Sequence, residues 1–154
     1  MPSISGNDGL TVRKAKLADL EAVKRLADAH RHELGFVLLP SLREQIEKSE
    51  MLVAIREDAL IGFVDYHRRK DRKLTLYHIA IDQENKRQGV GRALLDNLVT
   101  AARDLGCSQI ALKCPTDLGA NEFYEQYGFT LAETLNGRLR PLNVWIMPLN
   151  LHTI

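Results

Sequence analysis

Lys86-Arg87-Gln88-Gly89-Val90-Gly91-Arg92 is a segment whose residue types can hold a phosphate. Glycines at 89 and 91 let the backbone turn with its N–H groups facing inward, and a helix that starts there adds a partial positive charge. Arg87 and Arg92 supply full charges beside it. Two familiar phosphate loops do not fit. A Walker loop ends in Gly-Lys-Ser/Thr, whereas Gly91 is followed by Arg92-Ala93. A dinucleotide fingerprint needs a third glycine, and Leu94 stands in that position. The segment therefore reads as a nucleotide or pyrophosphate loop of another kind, or as a plain strand–helix connector. Metal chemistry is not expected. Cys107 and Cys114 have no metal-ligand spacing and are too few for a disulfide scaffold, so they read as reduced thiols. His30 and His32, two residues apart, fall on different faces of a helix.

Regular elements must position this loop. Leu74-Thr75-Leu76-Tyr77-His78-Ile79-Ala80-Ile81 reads as a strand leading into it, within a span of Lys73 to Asp82. Gly91 to Leu105 reads as the helix leading out, with Leu94, Leu98, Ala101/Ala102 and Leu105 on one stripe and Gly106 as its left-handed cap. Upstream, Leu10–Arg13 is a short strand. Asp19 suits the first turn of a helix, and Leu20, Val23, Ala27, His30 and Leu34 carry it to about Glu33 before Gly35. Pro40-Ser41 opens a second helix through Lys48. Met51–Arg56 and Leu60–His67 form a hairpin across Glu57-Asp58. Downstream come a strand at Gln109–Cys114, a helix at Leu118–Tyr127 capped by Gly128, and strands Phe129–Thr134 and Asn143–Leu149 paired around Asn136-Gly137. A right-handed crossover makes the strands on either side of the loop helix parallel neighbours.

The chain of 154 residues is long enough for one core. Residues 1–9 are polar, lack the pattern of a signal peptide and read as a flexible tail. Residues 10–154 read as a single domain. The 45% apolar and 27% charged residues are ordinary for a globular chain. A net charge of +1 argues against a nucleic-acid partner held by a general field. No window reaches the length of apolar chain a membrane span needs, so no membrane partner is expected, and the reduced thiols fit a cytoplasmic protein.

Lys86-Arg87-Gln88-Gly89-Val90-Gly91 resembles motif A of the GCN5-related N-acetyltransferases, which reads Arg/Gln-x-x-Gly-x-Gly/Ala; Lys86 departs from the usual first residue. Ile79-Ala80-Ile81-Asp82 matches the strand before it. Ala120-Asn121-Glu122-Phe123-Tyr124-Glu125-Gln126-Tyr127-Gly128-Phe129 resembles motif B. The resemblance runs from Thr11 to about Leu149. It implies an α/β mixed sheet (the acyl-CoA N-acyltransferase fold), with about seven mostly antiparallel strands, a parallel splayed β4/β5 pair and about four helices. It also implies acetyl-CoA as cosubstrate, its pyrophosphate on Lys86, Arg87, Gln88, Gly89, Val90, Gly91 and Arg92. Its pantetheine would pair with backbone of Ile79, Ala80 and Ile81, as an added strand would. No resident metal is implied.

Acyl transfer from a thioester to a primary amine must remove a proton from the amine, stabilise an oxyanion and protonate a thiolate. By resemblance the attack is direct, in a ternary complex, and an N–H near Ile79 serves the oxyanion. Tyr124 is the candidate acid for the thiolate; a free phenol, with a pKa of about 10, is a donor at neutral pH. Its other reading is a buried helix aromatic. Tyr127 reads as core. Some relatives place a Glu where this chain has Leu112, so that base is missing. His78 is the first candidate in its stead, with Glu33, Asp65 or water-mediated removal as alternatives. Asp117 stands where many relatives have a coenzyme-binding Asn. It reads better as a helix N-cap, with Asn121 taking over the coenzyme contact.

Arg68-Arg69-Lys70-Asp71-Arg72-Lys73 has no aromatic residues interleaved and reads as a solvated turn rather than a nucleic-acid patch. Arg138 and Arg140 read either as a carboxylate-recognition pair in the last hairpin or as exposed loop. The segment from Arg31 to Glu47 and that hairpin are expected to wall the acceptor amine, whose identity the residues do not encode. Relatives often dimerise, which makes a homodimer one expectation. The rival reading is a non-catalytic acyl-CoA sensor, which would need the loop but neither a base nor Tyr124.

Overall fold

Glu57 and Asp58 both hold positive φ, at 50° and 65°. That is the backbone a two-residue turn needs to join strands of right-handed twist. They connect β2 (Met51–Arg56) to β3 (Ala59–Arg68). The computed structural model, which describes residues 9–137 and 139–149, adds β1 (Thr11–Lys14), β4 (Lys73–Ile81), β5 (Gln109–Pro115), β6 (Thr130–Asn136) and β7 (Pro141–Pro148). They form one seven-stranded sheet in the order β1-β2-β3-β4-β5-β7-β6. The tail expected over residues 1–9 lies, apart from Gly9, outside the described residues.

Five α-helices accompany the sheet among the described residues: α1 (Leu20–Ala29), α2 (Arg31–Leu34), α3 (Leu39–Glu47), α4 (Val90–Asp104) and α5 (Ala120–Tyr127). The first expected helix is two. His30 leaves helical geometry at φ −111° and ψ 26°. Its buried ring bonds through Nδ1 with the Leu26 carbonyl at 3.0 Å, and the chain restarts as α2. Gly35 then stops α2 at φ 74°. None of these helices is long and apolar enough to cross a membrane.

The described chain divides into two compact units. The first joins the residues up to Tyr66 with His78–Leu98. Its core gathers Leu20, Val23 and Leu26 of α1, Leu42 and Ile46 of α3, Met51 and Val53 of β2, Phe63 of β3 and Ala80 of β4. β1 lies antiparallel to β2, and β2 to β3, with a bulge where Ala54 faces Gly62 but Ile55 faces Leu60. The extra residue, Ile61, turns its carbonyl to the Asp82 N–H at 2.8 Å, which fixes the end of β4. Asp19 closes the start of α1: it accepts from the Lys16 N–H at 2.7 Å and from both Arg13 terminal nitrogens at 2.8 and 3.1 Å.

The second unit joins His67–Tyr77 with the residues from Val99 on. Within it β4 runs parallel to β5, over Lys73↔Gln109, Leu74↔Ile110 and Thr75↔Ala111 only. β5 then pairs antiparallel with β7 along its whole length, and β7 with β6. Gly106, at φ 77°, ends α4 as the sequence predicts.

Candidate functional site

The glycine loop begins at the end of β4 with a short 3-10 turn, Gln83–Asn85. Arg87 and Gly89 both take left-handed backbone, φ 63° and 81°. Left-handed residues interspersed in a turn make a concave nest of N–H groups that suits an anion. The Ala93 N–H donates to the Gly89 carbonyl at 3.0 Å, so α4 starts there. The N–H groups of Val90, Gly91 and Arg92 lie in its first turn, where a helix has no carbonyl of its own to offer. Val90 is buried while Lys86, Arg87, Gln88, Gly89 and Arg92 are exposed, so the helix is rooted and the loop is accessible.

Arg56, the last residue of β2, braces this loop. Its Nη1 donates to Asn85 Oδ1 at 3.0 Å and to Gln88 Oε1 at 2.6 Å, tying the two sides of the turn together. Arginine at the left-handed 87 position costs about 1 kcal/mol or more, and such a residue persists only when its surroundings enforce it. Arg56 supplies part of that enforcement. Sequence reading missed it because it lies far from the loop in the chain. Gly62 of β3 makes room for the root of α4. A Cβ there would stand 3.2 Å from the Ala80 carbonyl oxygen and from Leu94 Cδ1, and 3.3 Å from Val90 Cγ1.

On β4, Ala80 is buried while Ile79 and Ile81 are half-buried. His78 shares the alternating face of Leu74, Leu76 and Ala80. It is half-buried, and its Nδ1 lies 2.9 Å from Oδ1 of Asp65, a buried residue in the middle of β3. Two of the bases weighed from sequence are thus one hydrogen-bonded pair. The third, Glu33, sits on α2, 3.5 Å from His32 Nε2.

In the second unit Tyr124 is buried on α5, between Phe123 and Phe129, at ring-centroid distances of 5.6 and 5.8 Å. Tyr127 also packs on Phe129, at 6.1 Å. Asn121 spends its whole amide on the protein. Its Nδ2 donates to the Pro115 and Leu118 carbonyls, both at 2.8 Å, and its Oδ1 accepts from Asn143 Nδ2 at 3.1 Å and Trp145 Nε1 at 2.8 Å. Those four bonds fill the capacity of the group, and they bracket the start of α5 to β5 and β7.

Asp117 is not an N-cap. Gly119 occupies that position, without a side-chain hydrogen bond, because α5 begins at Ala120 rather than Leu118. Asp117 instead accepts from Arg140 Nη2 at 2.9 Å, and this bond holds its carboxyl below the usual range. Arg138 lies outside the described residues. Leu112 is buried opposite Trp145, so β5 offers an apolar side chain there. Burial pushes the Cys107 thiol up, which disfavours its thiolate. Among the described residues no three metal-ligating side chains cluster.

Residues 24–136 match the domain family described as "Acetyltransferase (GNAT) domain". Human N-acetyltransferase 8 is 34% identical over 83 residues, which are 50% of this chain and 37% of that protein. Human N-acetyltransferase 8B is 29% identical over 108 residues, 66% of this chain and 45% of that protein. The chain thus spans less than half the length of these curated relatives. Among solved structures, Ard1 from Thermoplasma volcanium has the same fold, with a TM-score of 0.84 at 21% identity over 92% of this chain and 99% of that one. Rv2747 from Mycobacterium tuberculosis, in complex with CoA and NLQ, gives a TM-score of 0.72 at 28% identity over 80% and 73% of the two chains.

Proposed function

We propose that this chain, which belongs to the GNAT acetyltransferase family by a match over residues 24–136, moves the acetyl group of acetyl-CoA to a primary amine. The observation that carries the reading is the left-handed pair Arg87 and Gly89 opening onto the first turn of α4, at the place of the family's coenzyme loop. The amides from Lys86 to Arg92 take the pyrophosphate. Backbone of Ile79, Ala80 and Ile81 takes the pantetheine, and an N–H near Ile79 faces the developing oxyanion. Asn121 is assigned to framing α5 rather than to the coenzyme, since its amide is already saturated.

The amine nitrogen attacks the thioester carbon in a ternary complex. As the C–N bond forms, the nitrogen gives up a proton, with His78 as the accepting group. The C–S bond then breaks, and Tyr124 protonates the departing thiolate. The acceptor belongs to the small amines, amino-acid derivatives or protein amines, and the reduced thiols fit a reaction in the cytoplasm.

An amine panel with acetyl-CoA, read by thiol release, tests the reading. Amine-dependent release of CoA with acetylated product supports it. Tight acetyl-CoA binding with no release above hydrolysis, on small amines and peptides alike, would replace it with a sensor.

A further inference from the structure

Asp65 needs an explanation that the coenzyme site does not give. It lies mid-strand in β3, flanked by buried Val64 and Tyr66 and opposite Met51 of β2. A carboxylate in such a place is costly unless it is hydrogen-bonded and balanced by charge. The hydrogen bond the structure gives it comes from His78 Nδ1, at 2.9 Å. The exposures are unequal: the Asp65 side chain is 3% exposed and that of His78 is 27%. The carboxylate is sunk into the sheet while the imidazole reaches outward from it.

From this geometry we infer that Asp65 is the positioning residue of His78. An ionised carboxylate only accepts hydrogen bonds, so it fixes the ring proton on Nδ1 and leaves Nε2 as the basic nitrogen. It also holds the ring in one orientation and balances the positive charge once Nε2 has taken a proton. The inference rests on the reading of His78 as the base. The step balances as follows: the amine nitrogen bonds to the acetyl carbon, its proton passes to Nε2, and the C–S electron pair leaves with sulfur. The imidazolium beside Asp65 then returns its proton to solvent.

A purely structural pair would hold β3 to β4 and do nothing else; kinetics separate these roles, and nitrogen NMR tests the tautomer on which the positioning role depends. In the wild-type protein, nitrogen NMR of the neutral His78 ring should show the proton on Nδ1; a ring protonated on Nε2 overturns the inference without any mutation. In kinetics, Asp65→Asn keeps size and shape, yet kcat should fall by about the 10²-fold typical of a general base, with KM for acetyl-CoA unchanged. The Asp65→Asn/His78→Ala double variant should be no slower than His78→Ala alone. If His78→Ala is inactive but Asp65→Asn is fully active, the positioning role fails while the base survives. If His78→Ala keeps wild-type kcat, the base reading fails, and the inference falls with it.

Discussion

Tyr124 and Asp19 show how differently two single side chains are tied into this protein. The Tyr124 ring is wedged among aromatic neighbours, so its ring and its hydroxyl can be tested apart. Tyr124→Phe keeps the ring contacts. It should lower kcat by about 10²-fold or more if the hydroxyl protonates the thiolate, with thermal unfolding almost unmoved. A loss of stability with intact kcat would make Tyr124 a core residue only. Asp19 is a matter of stability rather than catalysis. The hydrogen bond from Arg13 is the largest cause that holds its carboxyl below the usual range. A depressed folded-state value stabilises the protein fully above the unfolded range near pH ~4, and that stability is lost as pH falls through the lower folded value. Asp19→Asn should therefore cost about 0.5–1 kcal/mol at pH 7, and the gap from wild type should close in acid. Chemical denaturation at neutral and acid pH measures both.

At the scale of elements, the coenzyme loop is more than the seven residues that identify it. Arg56 reaches it from β2, and the sequence between them includes the whole of β3 and β4. Arg56→Ala frees Asn85 and Gln88 and loosens the left-handed Arg87. It should raise the acetyl-CoA KM about threefold to tenfold, the worth of one or two partly exposed hydrogen bonds, and leave kcat near wild type. Steady-state kinetics with acetyl-CoA varied decides this. The loop itself was legible because everything that makes it is local: two glycines, a strand before and a helix after. The turn at Glu57-Asp58 and the helix stops at Gly35, Gly106 and Gly128 were legible for the same reason. The break at His30 was not, since Leu26, Ala27, His30 and Leu34 keep helical spacing across it. The start of α5 was placed two residues early because Leu118 already turns, with its N–H on the Pro115 carbonyl at 3.2 Å. The Asp65–His78 pair and the Arg56 brace depend on which strands lie side by side. No spacing along the chain encodes that.

For the molecule as a whole, net charge and ligand binding set the expected behaviour. With a formal charge of +1, no broad field draws anions to the protein, so coenzyme affinity should come from the loop's own donors. A ligand that binds the folded chain alone stabilises it by mass action. Acetyl-CoA at one hundred times its Kd adds about 2.7 kcal/mol, which for a chain of this size raises Tm by roughly 5–10 °C. Thermal scans with and without acetyl-CoA should show that shift, and Arg56→Ala should need more ligand to reach it. A Tm that ignores acetyl-CoA at millimolar concentration would count against the donor site itself.

Asn121 carries a consequence for how this protein can change over generations. One amide closes two carbonyls at the start of α5 and receives two donors from β7. Aspartate would lose both donors, glutamine is a methylene too long, and serine has too few atoms to span the four bonds. None of the three can take over all four bonds that tie the start of α5 to β5 and β7. A replacement at Asn143 or Trp145 therefore falls on Asn121 as well, since both donate to its one amide oxygen.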